Sequence, residues 1–413
     1  MTLSRETRDD LHRLLARFSR VGKLPQGGVT RLAYTPLEDE MHRIFREEGA
    51  AHGFFVWEDS IGNSFIGNIA DKETPHTLFG SHLDSVVEGG PYDGVAGVAG
   101  GFAAMLELKR RGENIPLVVA AFRCEESSNF QHCTVGSGLM THTLDLKEIQ
   151  SATSLEGKPL FECLAEHGYR GDEPVPKGIA RYVEMHIEQG RVLQETETQI
   201  GVVTAIAAPH RYELTLQGLS EHSGATPMSL RADALCAAAE VILAVEQIGK
   251  KESVNASVAT VGSIENHPNI INAIPGTTSL RIDLRGIHSE SLVNMDRLLK
   301  KQVDDICHRR GVSYQLTCIG KMEPCHMNST LVEQLCCSAD TEGLSFRRMP
   351  SGAGHDALSF VHLCPTAMVF IPCKDGISHN IAEYTSPEQI EAGIQVLVRF
   401  LLQEEGRGNM LHD

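Results

Sequence analysis

Two nearly continuous apolar runs, separated by a helical pattern, constrain the fold of this chain more than any other feature. The runs cover residues 77–83 and 116–124, and such runs are typical of parallel strands that are buried on both faces. Between them, apolar residues recur at helical spacing from Val95 to Leu106, and Gly112 then supplies a stop. Because strand, helix and strand follow in this order, the segment predicts a right-handed βαβ unit.

Later parts of the chain extend this pattern. Residues 180–187 and 366–372 are further apolar runs, and each predicts another strand of the same sheet. The last helix has a clear start, with Ser386 as N-cap, Pro387 in the first turn and Gln389 in the capping-box position. We therefore expect an α/β domain built on a mostly parallel sheet.

The middle of the chain, residues 209–322, has a different pattern. Its predicted elements are, in order, a strand near 212–216, a helix near 230–249, strands near 257–264 and 278–284, a helix from Ser289 as N-cap to 309, and a strand at 313–319. This β-α-β-β-α-β order matches a ferredoxin-like sandwich. Because 413 residues exceed what one hydrophobic core usually serves, we predict that 209–322 is a second domain. It is inserted between 1–208 and 323–413, which together form a discontinuous first domain.

The composition excludes several classes of partner. The chain carries 37 basic and 54 acidic side chains, and the formal net charge of −17 opposes binding to nucleic acid or to anionic membranes. The N-terminus has mixed charge, and no stretch is long and apolar enough to cross a bilayer. The eleven cysteines are scattered without a CxxC pair, which favours reduced thiols. We therefore predict a cytoplasmic protein that binds neither nucleic acid nor membrane.

The segment GSHLDSVVEGGPYDGV, residues 80–95, carries the first candidate metal ligands. His82 and Asp84 lie two positions apart at the end of a predicted strand, so their side chains share a face. In such a pair the imidazole can bind a metal while the carboxylate orients the ring. Asp93 follows a Gly-Gly-Pro turn, which places it at the carboxyl edge of the sheet, where open α/β sheets bind ligands. A lone His-x-Asp pair more often has a structural role. The presence of Asp93 in the glycine-rich turn that follows favours a metal site instead.

Three more predicted strands end in ionisable side chains. Glu125 and Glu126 follow the run 116–124, where two adjacent carboxylates are costly to bury without a cation. His186 in MHIEQG and His379 in GISHN end two other strands. A single histidine is more often structural than a ligand, but five nitrogen and oxygen donors without sulfur suit two divalent ions such as zinc, manganese, cobalt or nickel. The predicted metal ligands are His82, Asp93, Glu126, His186 and His379, with Asp93 as the bridge.

The order of these motifs resembles that of the hydantoinase/carbamoylase family of binuclear amidohydrolases. The matching segments run from about residue 30 to 400 and are GSHLDSV, YDGV, the Glu-Glu pair, MHIEQG, EHSGATPM, NAIPG, SGAGHDA and GISHN. The family includes N-carbamoyl-L-amino-acid hydrolases, allantoate and ureidoglycolate amidohydrolases, and β-ureidopropionases. It belongs to a wider group with aminoacylases and carboxypeptidase-like exopeptidases.

The resemblance implies roles for individual residues. It implies the same five metal ligands, Glu125 as the catalytic base, and His222 as the group that stabilises the oxyanion, in many members from across a dimer. The residues implied to hold the substrate are Gln189, Arg211, Asn272, Arg285 and the backbone around Gly354 and His355. Without the resemblance to this family, we would interpret Arg285 as an ordinary charge on an edge strand and Asn272 as a turn residue before Pro275.

One motif departs from the family pattern. Where the family usually has EEGSRF, this chain has EESSNF, so Ser127 replaces the glycine and Asn129 replaces the arginine. His210 also stands where some relatives carry another polar residue. The predicted ligand and base are retained, so the departure bears on substrate range and leaves the implied reaction intact.

Together these observations predict a metal-dependent amidohydrolase that cleaves the C–N bond of a small anionic ureido acid. The first expectation is an N-carbamoyl-L-amino acid, which would yield the amino acid, carbon dioxide and ammonia. Allantoate or ureidoglycolate stays open as the substrate, and the more distant alternatives are an aminoacylase- or dipeptidase-type exopeptidase and a non-catalytic binding protein. Because His222 lies in the inserted domain, we also predict that this domain acts as a lid and mediates a homodimer.

Overall fold

The computed structural model describes residues 2–172 and 174–409, and the chain divides into two compact units. Unit 1 comprises Met1–Thr204 and Met327–Asp413, and unit 2 comprises Ala205–His326. The sequence patterns placed the corresponding boundaries at 208/209 and 322/323.

Helices and strands alternate along unit 1 and resume after unit 2. The helices are α1 (Arg5–Phe18), α2 (Pro36–Ala51), α3 (Val95–Arg111), α4 (Val135–Thr141), α5 (Leu146–Ile149), α6 (Leu160–Glu166), α7 (Val192–Glu195), α8 (Ala234–Glu252), α9 (Ser289–Arg310), α10 (Ser329–Thr341), α11 (Ala357–Phe360) and α12 (Pro387–Asn409). The strands are β1 (Phe55–Glu58), β2 (Ser64–Gly67), β3 (His76–His82), β4 (Leu117–Phe122), β5 (Ile179–Ile187), β6 (Ile200–Ile206), β7 (Ala208–Gln217), β8 (Val258–His267), β9 (Thr277–Gly286), β10 (Ser313–Lys321), β11 (Cys325–His326), β12 (Phe346–Ser351) and β13 (Thr366–Ile371).

The sheet of unit 1 is mixed, which corrects the expectation of a mostly parallel sheet. Its strands lie in the order β1-β2-β4-β3-β5-β13-β6, and β12 also pairs with β6. The short strand β11 belongs to unit 2 and pairs with the last two residues of β6, which are also assigned to unit 2. The four central strands, β4-β3-β5-β13, are parallel to one another, whereas β1, β2 and β6 join them antiparallel. The strands β1 and β2 have four residues each, too short to produce the apolar run by which the central strands were predicted.

The predicted βαβ unit is confirmed as β3-α3-β4. All residues of β3 and β4 are buried, and the two strands are parallel. The helix α3 ends at Gly112, which adopts the left-handed conformation that favours glycine at a helix C-terminus. Because the four central strands are parallel, their carboxyl ends meet at one edge of the sheet. His82 and His186 lie at two of these ends, and Glu125 and His379 follow the other two.

The predicted capping box at the start of α12 is also confirmed. The backbone N–H of Ser386 donates to Oε1 of Gln389 over 2.7 Å, and the N–H of Gln389 donates to the Ser386 hydroxyl over 3.3 Å. These reciprocal bonds satisfy backbone donors that a helix start otherwise leaves without partners.

Unit 2 contains a four-stranded antiparallel sheet in the order β10-β7-β9-β8, with α8 and α9 packed against it. Leu214, Leu280 and Leu284 alternate with exposed or half-exposed residues and join the helices in one core. The predicted element order is therefore observed. The N-cap of α9 is His288 rather than Ser289, whose hydroxyl instead donates to Glu323 over 2.7 Å, so that prediction is wrong by one residue.

The structure also bears on two expectations from composition. Within the described ranges, no helix combines the length and the apolar character that a membrane span requires. All eleven cysteines are free thiols, as the absence of a CxxC pair indicated.

Candidate metal centre

The carboxyl edge of the central strands gathers the predicted ligands into overlapping groups of atoms that could bind a metal ion. One group is His82, Asp93 and His186, a second is Asp93, Glu126 and His379, and a third is His82, Glu125 and Glu126. Within each group the ligand atoms lie within 4.8 Å of one another. Asp93 belongs to the first two groups, which is the position expected of a bridging carboxylate.

Local backbone features place these side chains. Gly94 has a positive φ of 67°, and a Cβ atom there would lie about 2.5 Å from the ring of His82. Glycine is therefore required for the Asp93 turn to approach that ring. We call the overlapping groups formed by His82, Asp93, Glu125, Glu126, His186 and His379 the cage. Asp84 supports it, because its two carboxylate oxygens accept the backbone N–H groups of Glu125 and Glu126, each over 3.1 Å. The predicted supporting residue thus fixes the backbone of both glutamates.

Two histidines are held in a definite tautomer. Nδ1 of His82 lies 3.2 Å from the backbone carbonyl of Asp84, and Nδ1 of His186 lies 2.9 Å from the carbonyl of Ile187. A carbonyl oxygen can only accept, so Nδ1 carries the hydrogen and the neutral ring has its lone pair on Nε2. This arrangement is usual for histidines that bind a metal through Nε2.

The two oxygens of Asp93 face different histidines. Oδ1 lies 3.0 Å from Nε2 of His186 and 3.7 Å from Nε2 of His82, whereas Oδ2 lies 3.1 Å from Nε2 of His379. Oδ1 is buried and has no aligned hydrogen-bond donor despite these short distances. Lone pairs on a carboxylate oxygen and a neutral imidazole repel each other unless a cation lies between them. The donors present therefore fit divalent ions.

The electrostatics of the cage indicate the same need for positive charge. Hydrogen bonds with Asp93 and Glu126 raise the pKa of His379 to about 10. Burial raises the pKa of Glu125 well above its ordinary value, and Glu126 raises it further against the opposing effect of His82. A buried cluster of carboxylates is stabilised by positive charge, which either protonated histidines or metal ions can supply.

Glu125 follows a strained turn at the end of β4. Cys124 has a φ of 54°, in the left-handed region that non-glycine residues rarely adopt. Its backbone N–H donates to Glu38 over 3.2 Å, and Arg123 forms an ion pair with Glu38 over 2.6 Å. This buried network fixes the turn that presents Glu125 to the cage.

The predicted substrate-binding residues of unit 1 lie beside the cage. The side-chain amide of Gln189 donates to Oδ2 of Asp93 over 3.0 Å. The ring of His355 packs edge-on against the ring of His186, with the centroids 4.5 Å apart. His355 and His186 also form a further group of potential ligands with Glu184, but Glu184 already accepts three hydrogen bonds from neighbouring groups. Gly354 precedes His355 in the same loop.

The predicted residues of unit 2 form two pairs. His222 is exposed and lies beside the Asn272 loop, in which the Asn272 carbonyl accepts the N–H of Ser223 over 3.0 Å. Arg211 and Arg285 lie on the sheet face opposite the helices, where both approach Asp283, over 3.5 Å and 3.1 Å respectively. These two arginines line an open depression of about 520 Å³.

Several residues of the site region were not singled out from the sequence. Glu383 is buried and accepts hydrogen bonds from the backbone of the Asp93 turn, and the Ser378 hydroxyl lies 2.9 Å from Oδ2 of Asp93. Ser378 lies within the GISHN motif and Glu383 three residues after it, and neither has any other sequence signal. Asn129, which departs from the family motif, uses its amide to link two backbone segments, at Ala33 and Leu155. His210 is buried and paired with Asp296.

Comparisons with known proteins identify the family of this chain. The model of peptidase family M20/M25/M40 matches residues 78–403. An N-carbamoyl-L-amino acid amidohydrolase from Geobacillus stearothermophilus is 34% identical over 399 residues, which cover 94% of this chain and 96% of that protein. An allantoate amidohydrolase from Escherichia coli is 34% identical over 403 residues, which cover 96% and 98% of the two chains.

The comparison with solved structures identifies a narrower group within this family. The crystal structure of an amidase of the hydantoinase/carbamoylase family from Burkholderia multivorans superposes with a TM-score of 0.91 and 35% identity, covering 97% of this chain and 98% of that one. The chain therefore belongs to peptidase family M20/M25/M40 and, within it, to the hydantoinase/carbamoylase amidases.

Proposed function

We propose that this protein is a metal-dependent amidohydrolase that cleaves the C–N bond of an N-carbamoyl-L-amino acid. The observation that carries the proposal is the position of Asp93, whose two oxygens face His186 and His379 at the edge of one sheet. A shared carboxylate between two histidine groups is suited to two ions, as in two-metal hydrolases. Two relatives that align with nearly the whole chain are named as amidohydrolases of N-carbamoyl-L-amino acids and of allantoate, which are ureido acids.

In this proposal the ligands are divided between two divalent ions. His82 and His186 would hold one ion, Glu126 and His379 would hold the other, and Asp93 would contact both. The donor set of nitrogen and oxygen suits zinc, manganese, cobalt or nickel. When bound, such ions supply Lewis acidity, which polarises a carbonyl and lowers the pKa of water.

Glu125 is proposed as the general base. Its carboxylate would accept a proton from the attacking water and return it to the leaving nitrogen. The raised pKa of Glu125 in its buried position suits a group that must both take and release a proton. Its backbone is held by Asp84 and follows the turn held by Glu38, so the carboxylate is presented from a fixed backbone.

His222 is proposed to stabilise the oxyanion. Its Nδ1 accepts the backbone N–H groups of Gly224 and Ala225 over 3.1 and 3.2 Å, so the neutral ring carries its hydrogen on Nε2. The ring is thus preset as a hydrogen-bond donor, which is what a developing oxyanion requires.

Unit 2 is proposed to act as a lid and to form a homodimer. Apolar side chains near His222 and Asn272 are unusually exposed, with Met228 at 78% and Ile271 at 100%. A contiguous exposed apolar surface is typical of a site that another chain covers, and these side chains are the candidates for such a surface. Arg211 and Arg285 lie on the same sheet face, where both approach Asp283, and guanidinium groups are suited to binding the carboxylate of a ureido acid.

The proposal is tested by measuring the ammonia and the free amino acid that metal-loaded enzyme releases. The panel contains N-carbamoyl-L-amino acids, allantoate, ureidoglycolate, an N-acetyl amino acid and a dipeptide. We expect ammonia from N-carbamoyl-L-amino acids, together with the free amino acid. Turnover of only the N-acetyl amino acid or the dipeptide would assign the protein to the exopeptidase and aminoacylase group instead.

A matched variant separates catalysis from binding. Glu125→Gln retains the shape of the side chain but removes the base, so we expect a ~100- to 10,000-fold loss of kcat with unchanged metal content. Full activity of this variant would contradict the assigned role.

Allantoate is the second candidate substrate, because the allantoate amidohydrolase is as similar to this chain as the N-carbamoyl-L-amino acid amidohydrolase is.

A further inference from the structure

A single buried carboxylate ties together the two loops that carry Asp93 and His379. Oε1 of Glu383 accepts the backbone N–H of Tyr92 over 2.8 Å and that of Asp93 over 3.0 Å. Its other oxygen, Oε2, lies 3.1 Å from the Ser378 hydroxyl, next to His379. Glu383 is 4% exposed, so these bonds form in a medium where losing an acceptor is costly.

Ser378 extends this connection to the side chain of Asp93. Its hydroxyl lies 2.9 Å from Oδ2 of Asp93, the oxygen that faces His379. Glu383 therefore contacts the Asp93 turn through the main chain and, through Ser378, also reaches its carboxylate. Glu383 thus holds the main chain of the Asp93 turn and Ser378 contacts its carboxylate, although the single hydroxyl hydrogen of Ser378 can be donated to only one of the two carboxylates at a time.

The turn before Asp93 is shaped to accommodate Glu383. A Cβ atom at Gly90 would lie 2.1 Å from Cδ and 2.2 Å from Oε1 of Glu383. Any larger residue at Gly90 would displace the carboxylate, so the glycine of the Gly-Gly-Pro turn is explained by the side chain packed against it.

We propose that Glu383 is a positioning residue that orients Asp93 as the shared carboxylate of the metal site. The inference rests on the proposed metal site, because it concerns the residue that holds one of its ligands in place. Asp93 contacts both histidine groups, so a shift of its carboxylate weakens the binding of both ions. Residues that support metal ligands in this way commonly contribute ~10- to 100-fold in metal affinity.

Metal binding itself provides the test. Zinc and manganese are added separately to the full-length protein freed of metal, and stoichiometry and affinity are measured by elemental analysis and by competition with a chelator. We expect Glu383→Ala to bind both ions ~10- to 100-fold more weakly than the wild type. Glu383→Gln retains an oxygen for the two N–H groups and an N–H donor for the Ser378 oxygen, so we expect its affinity to stay within about threefold of the wild type.

A control distinguishes positioning from general stability. Glu107 is also a buried carboxylate that accepts several hydrogen bonds, from Ser4 and Thr7, but it lies on α3 away from the proposed ligands. We expect Glu107→Ala to lose thermal stability and to bind both ions as the wild type does. If Glu383→Ala does not fold, Glu383→Asp replaces it, because it retains the charge and withdraws the oxygens by one methylene.

Three results would overturn the inference. The first is wild-type metal affinity in folded Glu383→Ala, or in Glu383→Asp where that variant replaces it. The second is an equal loss of affinity in Glu107→Ala, and the third is a Gln variant as weak as the Ala variant. Wild-type protein that binds no ion would overturn the proposed metal site as well. Two bound ions without hydrolysis of any ureido acid would refute the proposed substrate class and leave the role of Glu383 intact.

Discussion

Replacing Glu38 by alanine removes one half of a buried ion pair beside the proposed metal centre. Glu38 is 0% exposed and its partner Arg123 1%, and they approach to 2.6 Å. Glu38 also accepts the backbone N–H groups of Tyr34 and Cys124. Removing one member of a buried pair typically costs ~3–5 kcal/mol. Arg123 keeps a contact with Asp39 at 2.9 Å, so we expect the lower end, about 3 kcal/mol of unfolding free energy.

Urea denaturation measures this loss. Trp57 is the only tryptophan of the chain and lies in unit 1, stacked on Phe65, so its fluorescence reports unfolding of the relevant unit. The control is Glu333→Ala, which breaks an exposed pair with Arg348 and should cost only ~0–1 kcal/mol. A Glu38→Ala variant as stable as this control would refute the reasoning that the buried pair holds this region together.

Three further predictions concern the proposed function. His222→Ala should lower kcat ~100- to 1,000-fold with unchanged metal content, and a loss of metal would contradict its role as an oxyanion donor. Arg285→Met should raise KM for a ureido acid and leave KM for its amide analogue, which lacks the carboxylate, nearly unchanged; equal effects on both would refute the assigned contact. Chelation should abolish ammonia release and lower the melting temperature, because the carboxylates around Asp93 then lack their cations, and added zinc or manganese should restore both. Activity that survives complete removal of metal would refute metal dependence.

Much of unit 1 was predictable because its central strands are buried on both faces. Such strands appear in a sequence as apolar runs, and their ends point to His82, Glu125 and His186 without any knowledge of tertiary structure. Helix ends with reciprocal side-chain caps are also local, which explains why Ser386 and Gln389 were predictable. The outer strands β1 and β2 are too short to give such a run, and the apolar run of β6 carries no signal of its direction, so the mixed character of the sheet was not predictable.

Features that depend on distant contacts were not predictable from local patterns. Glu383 bonds to the backbone of Tyr92 and Asp93, 290 and more positions earlier in the chain, and no spacing rule links such residues. Asn129 looked like a change in the pocket, but its amide connects the backbone at Ala33 and Leu155. In both cases the decisive partner is a backbone group, which any residue type can supply.

The central claim is that one cage of side chains holds two divalent ions. Anomalous diffraction from crystals grown with zinc or manganese tests it directly. We predict two anomalous peaks, one contacting His82 and His186, the other contacting Glu126 and His379, and both contacting Asp93. A single peak, peaks located away from these side chains, or no peak would contradict the proposed metal centre.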